Sequence, residues 1–320
     1  MNEHCEKRPL IILTGPTAVG KTGLSIQLAK KINAEIISAD SMQIYRYMDI
    51  GSAKIKPEEM GGIRHFLINE LSPGEAFNVV VFQKKAKAAI QEIYNAGKLP
   101  LLVGGTGFYI QSILYDIDFE ATKEDPGYRA GLLDQAQEND PHYLHELLKN
   151  CDPKAAEEIH FNNTKRLIRA LEYNHLTGTC ISAHNETERQ KKSPYSYCYF
   201  VLNDERALLY EQIDRRVDLM MQEGLLDEVK RLKEMGYDRS FVSMQGLGYK
   251  ELLACLDEEY SLEEAIRIIK RDTRHFAKRQ LTWFRREKDV IWLNKNEYDH
   301  SDKKLLAQIL SSIKAANIIS

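Results

Sequence analysis

The segment from Gly15 to Thr22 has the residue types that bind phosphate groups. It reads Gly-Pro-Thr-Ala-Val-Gly-Lys-Thr and matches the pattern G-x-x-x-x-G-K-[ST] in full. In such a loop, backbone N–H groups at a helix N-terminus point at the anion, the lysine adds a positive charge, and the threonine hydroxyl can hold Mg²⁺. The alternative is a glycine-rich turn without a ligand. The pattern predicts a bound diphosphate or triphosphate, but it does not show which bond breaks.

A carboxylate follows the second predicted strand. Asp40 lies in Ser38-Ala39-Asp40-Ser41-Met42-Gln43, just after the apolar pair Ile36–Ile37. The carboxyl ends of parallel strands lie at one edge of a sheet, so Asp40 is expected at the same edge as the phosphate loop. There it can act as a general base, coordinate Mg²⁺ or cap the next turn. The residues alone leave these roles open.

Two weaker features also belong to this edge. Gly104-Gly105-Thr106-Gly107 ends the fourth predicted strand, where the Thr106 hydroxyl can bind an anion or a base. A tight turn explains these glycines nearly as well. Arg215 and Arg216 are neighbours in a helical pattern, so they point to different sides and one of them can reach the phosphates. For both arginines the residues alone favour a solvated helix face.

A basic segment lies near the end of the chain. Between Arg267 and Lys288 there are nine basic and two acidic residues, although the net charge of the protein is −3. Four of the basic residues recur at helical spacing and predict one basic stripe: Arg267, Arg271, Arg274 and Lys278. Such a stripe, interleaved with aromatic residues, suits a nucleic-acid backbone. The alternative is a solvated helix that acidic neighbours elsewhere balance.

The elements that must position these residues alternate between strands and helices. Apolar runs predict strands at Leu10–Leu13, Ile36–Ile37, Phe66–Ile68 and Leu99–Val103. A helical pattern runs from Asn78 to Ala96 and closes at Gly97. The alternation predicts an α/β fold like that of P-loop NTPases, a parallel sheet with helices on both faces. Its ligand site is expected at the carboxyl ends of the strands.

The pattern becomes mostly helical from about residue 120. Asp-Pro pairs separate short amphipathic helices in this part, and no strand is predicted before Tyr197–Leu202. We therefore predict a helical insertion at 120–195 within a catalytic core made of 1–119 and 196–320. The later core is predicted to contain helices at 204–235 and 262–286 and a last strand at Val290–Leu293.

Composition limits the classes of protein that are possible. The chain of 320 residues is 43% hydrophobic and 28% charged, which is typical of a soluble globular protein. No apolar run is long enough to span a membrane, and the polar start of the chain does not resemble a secretory signal. The five scattered cysteines form no C-x-x-C pair. A disulfide framework or zinc cluster is therefore not expected. The expected location of the protein is a reducing cytoplasm.

Together these segments resemble one family, the tRNA dimethylallyltransferases, also called tRNA isopentenyltransferases. The matching segments occur in family order: GPTAVGKT (15–22), SADSMQIYRYMDIGSAK (38–54), GGTGFY (104–109), KRLIRALE (165–172), RRVDLM and GLLDEV (within 215–229), QGLGYKE (245–251) and RHFAKRQLTWFRRE (274–287). The second segment, joined to this phosphate loop, is the most specific one. The chain shows no cysteine and histidine pattern like the C-terminal zinc finger of eukaryotic members, so the bacterial form is expected.

The resemblance implies that a dimethylallyl group moves from its diphosphate to the exocyclic N6 amine of the adenosine 3′ of the anticodon. The loop would then hold a leaving group: Gly15, Pro16, Thr17, Ala18, Val19, Gly20, Lys21 and Thr22. Lys21, Arg216 and a Mg²⁺ cofactor on Thr22 would stabilise the charge on the departing pyrophosphate. Asp40 matches the general base of the family, and Arg216 matches its pyrophosphate-contacting arginine.

The resemblance also implies an anticodon stem-loop as partner, with the target base flipped into a pocket. The implied base contacts are Asp40, Ser41, Met42, Gln43 and Thr106, with Met42 and Gln43 at positions where relatives vary. Neighbouring loop bases would be read by Gln245, Gly246, Leu247, Gly248, Tyr249 and Lys250. The insertion would grip the stem-loop with Arg129, Lys165, Arg166, Leu167, Ile168 and Arg169, and the last helix would contact phosphates with Arg274 and Lys278. A monomer without membrane contact is expected.

Three other functions share part of this pattern. A small-molecule or nucleotide kinase shares the loop, the Mg²⁺ and a nearby aspartate, but it does not need the basic stripe. An RNA-binding NTP-dependent switch needs a second acidic motif after a strand, and Leu99–Val103 is followed by glycines instead. An isopentenyltransferase that acts on free AMP does not need the helical insertion. The basic stripe and the insertion favour polymeric RNA as the acceptor.

Overall fold

The computed structural model describes residues 7–119 and 125–318. These divide into two compact units, the first within Met1–Leu114 and Pro194–Ser320 and the second within Tyr115–Ser193. The boundaries from the sequence were 120 and 195. Each unit has its own hydrophobic core.

The first unit contains a parallel sheet of six strands in the order β3-β2-β4-β1-β5-β6. The strands are β1 (Arg8–Thr14), β2 (Ala34–Ala39), β3 (His65–Phe66), β4 (Leu99–Gly104), β5 (Tyr195–Asn203) and β6 (Val290–Asn294). Every described pair is parallel, with Ile11 opposite Leu101 on one side and opposite Cys198 on the other. The predicted α/β, P-loop-like fold is confirmed.

Helices cover the sheet because its central strands are apolar on both faces. Residues Leu10–Leu13 are all fully buried, which a parallel strand achieves only between two layers. The helices of this unit are α1 (Lys21–Ile32), α2 (Val79–Asn95), α3 (Gly107–Leu114), α9 (Arg206–Gln222), α10 (Leu225–Glu234), α11 (Tyr249–Leu256), α12 (Leu262–Phe284) and α13 (Asp302–Ala315). α1 contacts both β2 and α13, whereas α2 contacts both β2 and α3.

The second unit is helical, with α4 (Pro126–Glu138), α5 (Tyr143–Cys151), α6 (Pro153–Glu158), α7 (Thr164–Thr177) and α8 (Ile181–Gln190). Its core contains Leu144, Leu148 and Leu171. The Asp-Pro pairs begin helices: the Asp125 and Asp152 side chains accept hydrogen bonds from the first turns of α4 and α6, and a proline follows each cap.

Two predicted elements are wrong in their limits. The single helix expected at 204–235 is two helices, because Gly224 has φ 99° and this left-handed conformation separates α9 from α10. The strand expected at Phe66–Ile68 is His65–Phe66, since Leu67 has φ 61° and cannot continue an extended strand. In the described part of the chain, no helix is long and apolar enough to cross a membrane.

Candidate active site

The predicted phosphate loop joins β1 to α1, and its conformation depends on its glycines. Gly15 has φ 147°, and a Cβ atom at this position would lie 2.3 Å from the carbonyl oxygen of Leu202. Gly20 has φ 96° immediately before α1 begins at Lys21. Both positions therefore require glycine. The turn directs the start of α1, with its unpaired N–H groups, toward the edge of the sheet.

Lys21 turns back onto the loop that precedes it. Its Nζ donates hydrogen bonds to the carbonyl oxygens of Gly15, at 2.9 Å, and Pro16, at 2.7 Å. Burial and, to a smaller extent, the nearby Arg216 lower the pKa of the Lys21 amine from 10.5 to about 7, while Asp40 opposes the shift. An anion bound in the loop would favour the charged amine.

A cavity of about 280 Å³ opens beside the loop at the carboxyl ends of the strands. Lys21, Thr22, Asp40, Gly105 and Arg216 all line it. The structure therefore brings together residues that lie far apart in the chain. Two basic side chains, a carboxylate and a helix N-terminus thus surround one cavity. Such a site suits an anionic substrate whose reaction needs a base.

Asp40 has a structural role as well as a position in the cavity. One of its carboxylate oxygens accepts a hydrogen bond of 2.8 Å from the backbone N–H of Met42. Asp40 therefore has one of the three roles that the sequence allows, that of a cap on the next turn. The same bond fixes the direction of the carboxylate in the cavity, as a proton acceptor requires.

The two neighbouring arginines of α9 differ. Arg215 is exposed, as the sequence favoured. Arg216 is half-buried and lines the cavity, so the solvated face was wrong for this residue. Burial lowers the pKa of the Arg216 guanidinium and Asp40 partly restores it. An arginine keeps its charge in such a place, which suits it to a diphosphate.

Apolar side chains form part of the lining of this cavity, which the sequence did not indicate. Ile36, Ile55, Ile68, Val103 and Phe276 line it together with His65. Burial lowers the pKa of His65, which favours the neutral ring. These residues come from separate parts of the chain, so no local pattern could have identified them as neighbours. The cavity lining therefore offers polar groups for an anion and apolar side chains for a hydrocarbon.

Most cations of the predicted basic stripe on α12 take part in ion pairs. Arg267 pairs with Glu264, Arg271 with Asp272, and Arg274 with Asp214 of α9. Within residues 7–119 and 125–318, Lys278 has no carboxylate within ion-pair distance. Acidic neighbours thus balance most of the stripe, as the alternative expected. An exposed cleft of about 370 Å³ remains beyond it, lined by His275, Lys278, Arg279, Thr282, Trp283 and Arg286.

The segment from Gln245 to Lys250 is partly a packing element. Tyr249 is fully buried, and its hydroxyl donates to Glu228 at 2.8 Å. Its side chain is therefore unavailable to a base in this conformation. A Cβ atom on Gly246 would lie 2.5 Å from Cε of Met42, so this segment contacts the turn after Asp40 directly. The Gln245 amide donates to the carbonyl of Arg239.

In the insertion, the predicted contact residues fall into three groups. Lys165 and Arg166 are exposed at the start of α7. Leu167 and Ile168 lie in the core of this unit, so their side chains pack rather than contact RNA. Arg129 and Arg169 both bind the fully buried carboxylate of Glu172, at 2.8 and 2.9 Å. Most of this sequence motif stabilises the insertion itself.

The model of the family described as IPP transferase matches residues 43–287 of this chain. The chain belongs to the IPP transferase family. This confirms the resemblance found in the sequence.

Two relatives match this chain over almost its whole length. A protein of Lachnoclostridium phytofermentans named tRNA dimethylallyltransferase is 61% identical over 98% of this chain and 99% of its own length. One of Acetivibrio thermocellus with the same name is 50% identical over 94% of this chain and 96% of its own.

Solved structures agree with this assignment. The tRNA isopentenylpyrophosphate transferase of Bacillus halodurans matches with a TM-score of 0.73, 42% identity and 98% coverage of both chains. A eukaryotic dimethylallyltransferase described as acting on tRNA matches with a TM-score of 0.82, 29% identity and coverage of 97% of this chain and 80% of its own.

Several residues that line the site were not among the site residues expected from the sequence. Gln212, Ser52 and Ala53 line the cavity, and Gln280 of α12 reaches into it from the far end of the chain. The periodicity of α12 predicts that Gln280 lies on the inner face with Ala277 and Phe284. That periodicity is a signal for a buried amide at this place.

Proposed function

We propose that this IPP transferase moves a dimethylallyl group from dimethylallyl diphosphate to the exocyclic N6 amine of the adenosine 3′ of the anticodon in tRNA. The observation that carries the proposal is the mixed lining of the cavity. Its polar groups come from the phosphate loop, Lys21 and Arg216, and its apolar side chains include Ile36, Ile55 and Ile68. A site that only transfers phosphate has no need of these apolar side chains, whereas a five-carbon chain does.

The loop and two cations bind the leaving group. As the C1–O bond of the substrate breaks, its electron pair goes to the diphosphate, which leaves as pyrophosphate. Lys21 and Arg216 line the place where this charge accumulates. Because both are already desolvated, they stabilise the developing charge without reorganising water around it. The bonds from Lys21 to the loop carbonyls are replaced by bonds to phosphate oxygens.

The residues present also fit a Mg²⁺ ion. The Thr22 hydroxyl offers a hard oxygen donor in the cavity, and Mg²⁺ takes few protein ligands beside phosphate oxygens and water. Among the described residues no group of three His, Cys, Asp or Glu side chains is placed to hold a metal. That suits an ion carried with the diphosphate. Bound there, Mg²⁺ would neutralise charge on the leaving group.

Asp40 accepts the proton of the adenine amine. The N6 lone pair is delocalised into the ring, so the amine is a poor nucleophile, and it becomes a better one as its proton leaves. A carboxylate that takes this proton while the N6–C1 bond forms typically contributes about 10²–10⁴-fold in rate. The hydrogen bond from Met42 N–H holds Asp40 in place for this step.

The adenosine must leave the stacked anticodon loop to reach this cavity. We propose that Ser41, Gln43 and Thr106 surround the flipped base, since the backbone N–H of Thr106 is bonded to the end of β2 at Ala39. We assign phosphate contacts to exposed cations: Lys165 and Arg166 in the insertion and Lys278 and Arg279 on α12. We further propose a monomer that acts in the cytoplasm, where free cysteines such as Cys198 stay reduced.

The test is an acceptor comparison. The protein is incubated with Mg²⁺, dimethylallyl diphosphate and an unmodified anticodon stem-loop that has adenosine 3′ of the anticodon. The matched control is the same stem-loop with guanosine at that one position, and a further reaction contains free AMP. We expect modification of the first RNA alone. Modification of AMP, or equal modification of both RNAs, would contradict the proposal.

A further inference from the structure

Gln280 joins the two glycine-rich turns of the site through one amide group. Its Oε1 accepts a hydrogen bond of 2.9 Å from the backbone N–H of Thr17 in the phosphate loop. Its Nε2 donates a hydrogen bond of 2.9 Å to the carbonyl oxygen of Gly105 in the turn after β4. The two turns are 88 residues apart in the chain and 263 and 175 residues from Gln280, respectively.

The residue type matters because this place needs a donor and an acceptor. A glutamine amide supplies both, a glutamate supplies only acceptors, and a methionine of similar length supplies neither. Gln280 is 6% exposed, so a lost partner would leave a buried polar group unsatisfied. A Cβ atom on Gly105 would lie 2.2 Å from Nε2 of Gln280, so the glycine of this turn makes room for the amide.

The hydrogen bond from the Thr17 N–H group to Gln280 anchors the phosphate loop. In a phosphate loop the backbone N–H groups normally point at the anion. Here the donor of Thr17 points at Gln280 instead, which fixes the start of the loop relative to the turn that carries Thr106. In the proposed function, the phosphate loop holds the leaving group, and the turn after β4 adjoins the acceptor base. Their separation determines how N6 is aligned with C1 of the substrate.

α12 carries this amide on its inner face and the exposed cleft on its outer face. Ala277, Gln280 and Phe284 are buried, whereas Lys278, Arg279 and Thr282 are exposed. One rigid helix thus connects the surface proposed for RNA phosphates with the loop for the diphosphate. A displacement of the helix moves both ends of the amide bridge.

We propose that Gln280 is a positioning residue for transfer: it sets the distance between the diphosphate loop and the turn at the acceptor base. The kinetic consequence of this inference rests on the proposed function. The hydrogen bond that anchors Thr17 does not depend on that function. Loss of the bridge should lower kcat by about 10- to 100-fold, because a misalignment of about 1 Å costs up to that much. The KM for tRNA should change less than about threefold, since the RNA surface on α12 keeps its side chains.

The experiment compares three variants of the full chain. Gln280→Met keeps the length without polar atoms, Gln280→Asn keeps the amide but is too short to reach both turns, and Gln308→Met changes an exposed glutamine of α13 as a control. Kinetics with stem-loop RNA are combined with hydrogen exchange of the Thr17 amide in the ligand-free protein. We expect both Gln280 variants to lose kcat and Thr17 protection, while their thermal midpoints, although lowered, stay above the assay temperature.

The outcomes separate the two claims. Wild-type kcat and Thr17 protection in Gln280→Met would overturn the positioning role. A loss of activity that merely follows the unfolded fraction would also overturn it, because packing alone then explains the residue. If the wild-type protein transfers nothing to RNA while Thr17 still loses protection in the variants, the proposed function fails and the anchor stands.

Discussion

The lowered pKa of Lys21 predicts how diphosphate binding depends on pH. Burial and the neighbouring Arg216 bring the pKa of this amine from 10.5 to about 7. A bound diphosphate raises the pKa again, so binding takes up a proton when the amine is neutral beforehand. The sign follows directly: affinity is highest at and below about pH 7 and falls as the pH rises above it.

The size of the effect follows from the charged fraction of Lys21. With a pKa of about 7, about half of the amines are charged at pH 7 and about 1% at pH 9. If the bound complex stays charged over this range, the affinity for pyrophosphate falls about 50-fold. At 1.36 kcal/mol for each tenfold change, that is about 2.3 kcal/mol.

The assay is titration calorimetry of pyrophosphate at fixed free Mg²⁺ between pH 6 and pH 9. Pyrophosphate itself loses protons in this range, so the wild type is compared at each pH with Lys21→Arg, whose side chain stays charged. The ratio of the two dissociation constants removes the contribution of the ligand. A ratio that is the same at pH 7 and pH 9 would show that Lys21 is charged throughout and would refute the reasoning.

Three further predictions concern the base, the RNA surface and the fold. Asp40→Asn should lower transfer by at least about 10²-fold while the Kd for pyrophosphate changes little, and near-normal turnover would remove Asp40 from the mechanism. Lys278→Ala combined with Arg279→Ala should reduce the salt slope of RNA binding by about 1 to 2, and a slope equal to that of wild type would show that neither cation contacts phosphate. Glu228→Gln should lower the free energy of unfolding in urea by about 2–3 kcal/mol because backbone N–H groups lose a buried acceptor; a change no larger than that of Tyr249→Phe would contradict this.

The acceptor in the last of these predictions is well defined. Glu228 of α10 is 1% exposed, and its Oε2 accepts from the backbone N–H groups of Asp49, at 2.9 Å, and Ile50, at 2.8 Å. Its Oε1 accepts from Gly51 N–H at 3.1 Å and from the Tyr249 hydroxyl at 2.8 Å. This carboxylate therefore ties the loop before the cavity residues Ser52 and Ala53 to the segment at Tyr249.

The sheet and the phosphate loop could be predicted because their signals are local. Four consecutive buried residues in β1 and a complete loop motif at its end define both the strand and the ligand edge. Asp40 could be placed for the same reason, since it directly follows β2. The break at Gly224 was missed because the apolar pattern continues through it, and only the backbone conformation separates α9 from α10.

The rest of the site depends on contacts that no local pattern contains. The sequence shows four cations of α12 on one face, but Arg274 among them pairs with Asp214 of α9, and Lys270 of the same helix pairs with Asp218. Similarly, the motif at 165–172 contains the glutamate that holds Arg169 and, from a separate helix, Arg129. Charges that look available in the sequence are thus neutralised by residues that the fold brings to them. The apolar lining of the cavity could not be predicted because its residues belong to different elements.

The central claim is that the loop holds a leaving group and the carbon chain is transferred. It is tested most directly with dimethylallyl diphosphate labelled at two positions, with one isotope in the five-carbon chain and another in the phosphates. The substrate is incubated with the protein, Mg²⁺ and the unmodified anticodon stem-loop, and the RNA is separated from the small molecules. We predict the carbon label in the RNA and the phosphate label in pyrophosphate. Phosphate label in the RNA, or carbon label that stays with the diphosphate, would contradict the account.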